Sequence, residues 1–165
     1  MSEWIWTSND TSWAINEHMS AIKKGLLLLA IYVIIIIALT PYARGNEFIG
    51  LMVIASIFII IFIATIIHSY TRIRTIRKAI TSLKRVEIKR GSIILETANG
   101  TYTASLDEIT MCHKTMSVSR SRPYVYNIFI KYQGMEYEIP YLKPEDYGAL
   151  KQVLKKHGKD IEQCP

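Results

Sequence analysis

The sequence predicts an α+β membrane protein, in which a two-helix transmembrane hairpin precedes a strand-rich cytoplasmic domain closed by a C-terminal helix. Three observations carry this. Residues 25–43 and 48–71 contain no Asp, Glu, Lys or Arg and concentrate nearly half of the Ile, Leu and Val side chains of the chain. Beyond residue 85 the apolar spacing changes from helical to alternating, with Gly-containing turns between short β-branched runs. Helical spacing then returns once, after Pro144.

The hairpin comes first. Residues 25–43 read GLLLLAIYVIIIIALTPYA. At about 1.5 Å per residue they extend roughly 28 Å, close to the hydrocarbon thickness of a bilayer. The second stretch ends in His68, Ser69 and Tyr70, side chains suited to the headgroup level. Pro41 closes the first helix because proline cannot donate to the helical ladder. Arg44, Gly45 and Asn46 supply the turn, so the helices are expected to run antiparallel and in contact. Gly50, with Ala55 or Ser56, is the candidate for close packing. Neither span carries Asp, Glu, Lys or Arg, and His68 lies only at the interfacial end of the second, which argues against proton relays and ion pathways.

Charge gives the orientation. Lys23 and Lys24 precede the first helix and Arg72, Arg74, Arg77 and Lys78 follow the second, while the link holds only Arg44. Basic residues mark the cytoplasmic side, so both termini are expected inside, at a cell inner membrane. From residue 70 onward the chain has 17 Lys/Arg against 10 Asp/Glu, so the overall charge of +6 belongs to the tail. A basic tail beside a membrane points to anionic lipid before nucleic acid.

Residues 71–84 form the link. Ile73, Ile76, Ile80 and Leu83 recur at three- and four-residue steps, with Arg72, Arg74, Arg77 and Lys78 between them. This predicts a basic amphipathic helix continuing or bending from the second span. The four cations are candidate lipid-binding residues, each contributing about 1 kcal/mol near an anionic surface. Fixing topology is the simpler role for the same residues.

Residues 85–165 form the domain. Strands are expected at 85–89 and 92–97 around Arg90-Gly91, then a hairpin about Asn99-Gly100, then strands over 109–118, 124–132 and 135–140. Pro144, Glu145 and Asp146 start a helix over 144–157, with Tyr147, Leu150, Val153 and Leu154 as its apolar stripe and Gly158 as its cap. The helix should plug a barrel or bent sheet. Cys112 and Cys164 have no motif spacing, and the second lies at a chain end expected to fray. Both are expected to be free thiols in a reducing cytoplasm.

The order of short strands, Asn-Gly hairpin, long strand, the MEYEIP run and closing helix resembles the bacterial pleckstrin-homology-like (PH-like) domains found behind paired membrane helices. More narrowly the chain is similar to the YcxB-like family, on Trp4-Ile5-Trp6-Thr7, the two spans, Ile139-Pro140 and the final helix. The resemblance implies a PH-like sheet or barrel and brings no catalytic residues. It also draws attention to the SVSRSR loop, since basic loops at the open end of pleckstrin barrels hold headgroups. Arg120, Arg122 and Tyr124 are the candidate partner-binding residues there, and a solvated hairpin loop is the plainer alternative.

Residues 1–24 combine a short strand with an amphipathic helix. Residues 3–7 alternate, and Trp13, Ile15, Met19 and Ile22 lead helically into the first span. Trp4 and Trp6 would suit an interfacial belt. Alternation favours the other reading, in which residues 3–7 pair with an edge strand of the tail domain, with both indoles on one face and Ile5 on the other.

No nucleotide loop, zinc motif or nucleophile elbow is present, and Cys112 and His113, adjacent in a strand, would point to opposite faces. No enzymatic activity, cofactor or metal is expected. Nucleic acid is not an expected partner, because YVYNIFIKY lacks the RNA-binding aromatic pattern. The expected function is a non-catalytic, membrane-anchored module that binds a protein partner, a second copy or anionic lipid. The alternative is an immunity protein that neutralises a cognate bacterial toxin.

Overall fold

The computed structural model describes residues 2–42, 45–117 and 124–165. The chain divides into two compact units, one of Ile15–Thr75 and one joining Met1–Ala14 to Ile76–Pro165.

The first unit contains most of two long helices, α1 (Ser12–Leu39) and α2 (Asn46–Ser82). α1 stops two residues before Pro41, as expected where the residue preceding a proline is driven out of the helical region. Both helices are long and apolar enough to cross a membrane, and in the most apolar 18-residue window of each, 0% and 6% of the residues are buried within the protein. An all-round apolar helix that the protein itself does not bury is unlike the core helix of a soluble domain. Tyr32 packs its ring against Phe58 and Phe62, with centroids 5.4 and 6.3 Å away. Gly25 faces Ile66, whose Cγ1 would lie 3.4 Å from an added Cβ. Among the described residues nothing lies within 4 Å of a Cβ added at Gly50, the expected close contact, whereas Ala55 is buried.

The second unit is discontinuous. β1 (Trp4–Thr7) pairs antiparallel with β2 (Leu83–Lys89), placing Trp4 opposite Ile88 and Trp6 opposite Val86. Trp4 and Trp6 are buried and Ile5 is 44% exposed, as the alternation requires. After β1 a single 3-10 turn (Ser8–Thr11) is fixed by Thr7, whose backbone N–H donates to Asp10 Oδ2 at 2.7 Å. Thr11 Oγ1 then donates to the Pro140 carbonyl at 3.1 Å.

α2 passes directly into β2, so the helix ends at Ser82 and the strand begins two residues before its expected start. Ile73, Ile76 and Ala79 form the buried stripe of that last helical stretch, with Ile80 half-buried. β2 pairs with β3 (Ser92–Thr97) and β3 with β4 (Gly100–Ser105). Arg90 and Gly91 both have positive φ, 51° and 77°, the conformation that a two-residue hairpin selects. The next turn centres on Ala98 and Asn99, one residue before the expected position. The Thr97 hydroxyl closes it by donating to the Gly100 carbonyl at 2.9 Å.

A second sheet runs in the order β7-β6-β5-β8. β5 (Thr110–Met116), β6 (Val125–Tyr132) and β7 (Met135–Leu142) form an antiparallel meander. β8 (Glu162–Gln163) adds parallel to β5 at Cys112 and His113. A register shift between Tyr126 and Ile128 coincides with buried Asn127, whose Oδ1 accepts from the Tyr141 N–H at 3.0 Å. That bond supports Tyr141 at φ 56°, a conformation uncommon for a bulky residue.

Two four-stranded sheets share one apolar core, and among the described residues no ladder joins them, so the expected barrel is not closed. The break lies where β4 leads into a 3-10 turn (Leu106–Glu108), which redirects the chain before β5. The closing helix, α3 (Pro144–Lys156), buries Tyr147, Leu150 and Leu154 in that core. Gly158 follows at φ 72°, consistent with its expected capping role.

The cysteine expectation is also overturned. Cys112 and Cys164 are not free thiols but form a disulfide across 52 residues. The physical reason is β8: its pairing returns the chain end to β5 and sets Cys164 beside Cys112, with the Cys164 N–H donating to the His113 carbonyl at 2.9 Å.

Candidate functional site

The candidate lipid-binding residues all lie on α2, beyond its most apolar stretch. At about 100° per residue, Arg74 and Lys78 lie on the face away from the Ile73–Ile76–Ile80 stripe, and Arg77 and Arg72 flank that stripe on its two sides. Their exposure agrees: Arg74, Arg77 and Lys78 are exposed and Arg72 is intermediate. Among the described residues no carboxylate forms an ion pair with any of the four. Guanidinium and ammonium groups that no carboxylate engages can pair with phosphate oxygens.

The second candidate set falls largely outside the described residues. Arg120 and Arg122 lie outside the described residues, and Tyr124 is an exposed residue immediately before β6.

Three arrangements in the discontinuous unit escaped the sequence reading. The first joins the chain's beginning to α3. Glu3 Oε2 lies 2.5 Å from His157 Nε2, and Lys156 Nζ donates to Glu3 Oε1 at 3.1 Å. The hydrogen bond from His157, then that from Lys156, holds the Glu3 carboxyl below its usual range. Trp4 Nε1 reinforces the junction by donating to the Asp146 carbonyl at 3.3 Å.

The second is an aromatic cluster between β5, β6 and α3. Tyr126 and Tyr147 stack with centroids 3.9 Å apart, and the Tyr147 hydroxyl lies 3.2 Å from His113 Nδ1. Burial raises the Tyr147 phenol above its usual range, so it remains a neutral hydrogen-bonding group at physiological pH. These contacts fasten the helix to the sheet.

The third is a cavity of about 500 Å³ beside the disulfide. Leu106, Met111, Phe129 and Leu154 form its apolar walls, and the C-terminal residues Lys159, Asp160, Glu162 and Pro165 form another side. The only sequence-level pointer to this arrangement was the single apolar residue Ile161 near a polar chain end.

No protein-family model, curated protein or solved structure matches this chain.

Proposed function

We propose that the protein is a non-catalytic module anchored in the bacterial inner membrane, which holds anionic lipid headgroups through Arg72, Arg74, Arg77 and Lys78. The observation that carries this reading is a set of cations on α2, without an ion-pair partner among the described residues, just past a stretch apolar enough to cross a bilayer. Four such charges near an anionic surface contribute on the order of 4 kcal/mol, enough for selective retention of acidic lipid. The same residues support an orientation with both termini in the cytoplasm. That orientation is compatible with the β1–β2 ladder, because two crossings return the chain to the side on which it began. The PH-like resemblance of the strand-rich unit fits a binding role and adds no chemistry.

Thermal unfolding of the full chain in neutral detergent, with short-chain phosphatidylglycerol or phosphatidylcholine added, tests the proposal. Ligand at 100 times its Kd stabilises a folded state by about 2.7 kcal/mol. Phosphatidylglycerol should raise Tm and phosphatidylcholine should not. The shift should vanish in R72Q/R74Q/R77Q/K78Q and persist in K84Q/K155Q. Equal shifts with both lipids, or an undiminished shift in the quadruple variant, would refute it.

A further inference from the structure

We propose that residues 159–165 form a redox-controlled strap, latched to β5 by the Cys112–Cys164 disulfide, which opens without unfolding the domain when a dithiol reduces it. Four observations support this. β8 is only two residues long and sits at the outer edge of its sheet, so its ladder alone is a weak attachment. The strap's ion pairs, Lys151–Asp160 at 3.7 Å and Lys159–Asp107 at 3.5 Å, have exposed members and hold little against water. Ile161, 2% exposed, is its one apolar anchor in the core. The covalent bond is therefore the principal latch.

The sheet beneath does not need the strap. β5 is paired with β6 along its whole length, from Thr110 opposite Lys131 to Met116 opposite Val125. Release would uncover the outer edge of β5 at Cys112 and His113. It would also remove one side of the 500 Å³ cavity, exposing Leu106, Met111, Phe129 and Leu154. A chain end that is locked or released as a unit, over a sheet that stays folded, behaves as a local opening with its own free energy.

The chemistry is thiol–disulfide exchange with a dithiol reductant. One reductant thiolate attacks Cys164 Sγ, a mixed disulfide forms, and Cys112 leaves as thiolate and takes up a proton. The second reductant thiolate then attacks the reductant's own sulfur in that mixed disulfide, releasing Cys164 as a thiolate that is also protonated. The protein gains two electrons and two protons, and the reductant ends as its disulfide. In a cytoplasmic position such a bond belongs to the transient, redox-sensing kind.

The test uses the full chain in detergent, oxidised, then reduced with excess dithiothreitol, then reoxidised. Alkylation with iodoacetamide followed by mass measurement counts free thiols, and hydrogen exchange reads individual segments. The oxidised chain should take up no label and the reduced chain two. Reduction should speed exchange at the Cys164 amide about tenfold or more while β6 and β7 remain protected. Reoxidation should restore the slow rate. Labelling of the oxidised chain, unchanged exchange at Cys164 after reduction, or simultaneous loss of protection in β6 and β7 would each overturn the proposal.

Discussion

Replacing Trp6 by alanine separates a structural N-terminal strand from a membrane-surface flank. Trp6 is 1% exposed, lies opposite Val86 and belongs to the core shared with α3, whereas its neighbour Ile5 points outward. Removing a buried indole costs about 3–5 kcal/mol, the sum of lost transfer energy and the cavity left behind. Truncating the exposed Ile5 should cost about 0.5 kcal/mol or less. Small domains have only about 5–15 kcal/mol in total, so Trp6→Ala removes a large part of the available stability. Trp4→Ala should fall close to Trp6→Ala, because it also deletes the hydrogen bond to the Asp146 carbonyl. Hydrogen exchange at the β2 and β3 amides of the full chain in detergent gives the readout. At 1.4 kcal/mol per factor of ten, the expected acceleration for Trp6→Ala is on the order of a hundredfold to a thousandfold, against about twofold for Ile5→Ala. Comparable effects of the two substitutions, or protection in β2 unchanged by Trp6→Ala, would refute the pairing of β1 with the domain.

Three further predictions follow from particular contacts. Leu150→Asp should unfold the discontinuous unit, since an unpaired carboxylate at a site 1% exposed costs several kcal/mol; retention of the near-ultraviolet circular dichroism of the wild type would count against α3 as the closing element. Glu3 has a folded-state pKa depressed by its bonds to His157 and Lys156, so its contribution is complete above the ordinary carboxylate range and is lost as pH falls through the lowered value. Proteolysis of the N-terminal segment should accordingly rise on acidification in the wild type, and Glu3→Gln should be cut more readily at neutral pH with a flatter pH profile; identical profiles would dismiss the Glu3 junction. In a C112S/C164S background, Asn46→Cys should react with an impermeant maleimide applied from the periplasmic side and not from the cytoplasmic side, and the reverse pattern would invert the proposed orientation.

The legible parts of the fold were those with a local period. Trp4 and Trp6 announce β1 because alternation in so short a segment has no use in a simple membrane flank. The apolar runs announce α1 and α2 by length, and the cations of α2 follow from their position beyond the second run. The turn with a left-handed pair at Arg90-Gly91 was readable from its glycine, and both of its residues have positive φ. The turn at Ala98-Asn99 was misplaced by one residue because the Thr97 hydroxyl, rather than Gly100, closes it. β8 was invisible: two polar, exposed residues carry no periodicity. The disulfide depends on β8, so it was hidden with it, and the strap, the cavity and the Glu3–His157 junction all rest on partners far apart in sequence. Long-range register is a property of the assembled sheets, which no local pattern encodes.

The discontinuity of the folded unit also has a consequence in time. Trp4 and Trp6 leave the ribosome before their partners, since their strand partner is centred on residues 86–88 and the carbonyl that receives the Trp4 indole belongs to residue 146. At about 5–20 residues per second, β2 is made several seconds after β1, and α3 later still. Throughout that interval the hairpin is being synthesised while two indoles wait without their native surface. The β1–β2 pairing joins residues about eighty apart in sequence and so raises the contact order of the domain above that of its meanders alone. Translation therefore presents the first strand to the cell as an unpaired aromatic segment, and synthesis of the final helix supplies the last surface that receives it.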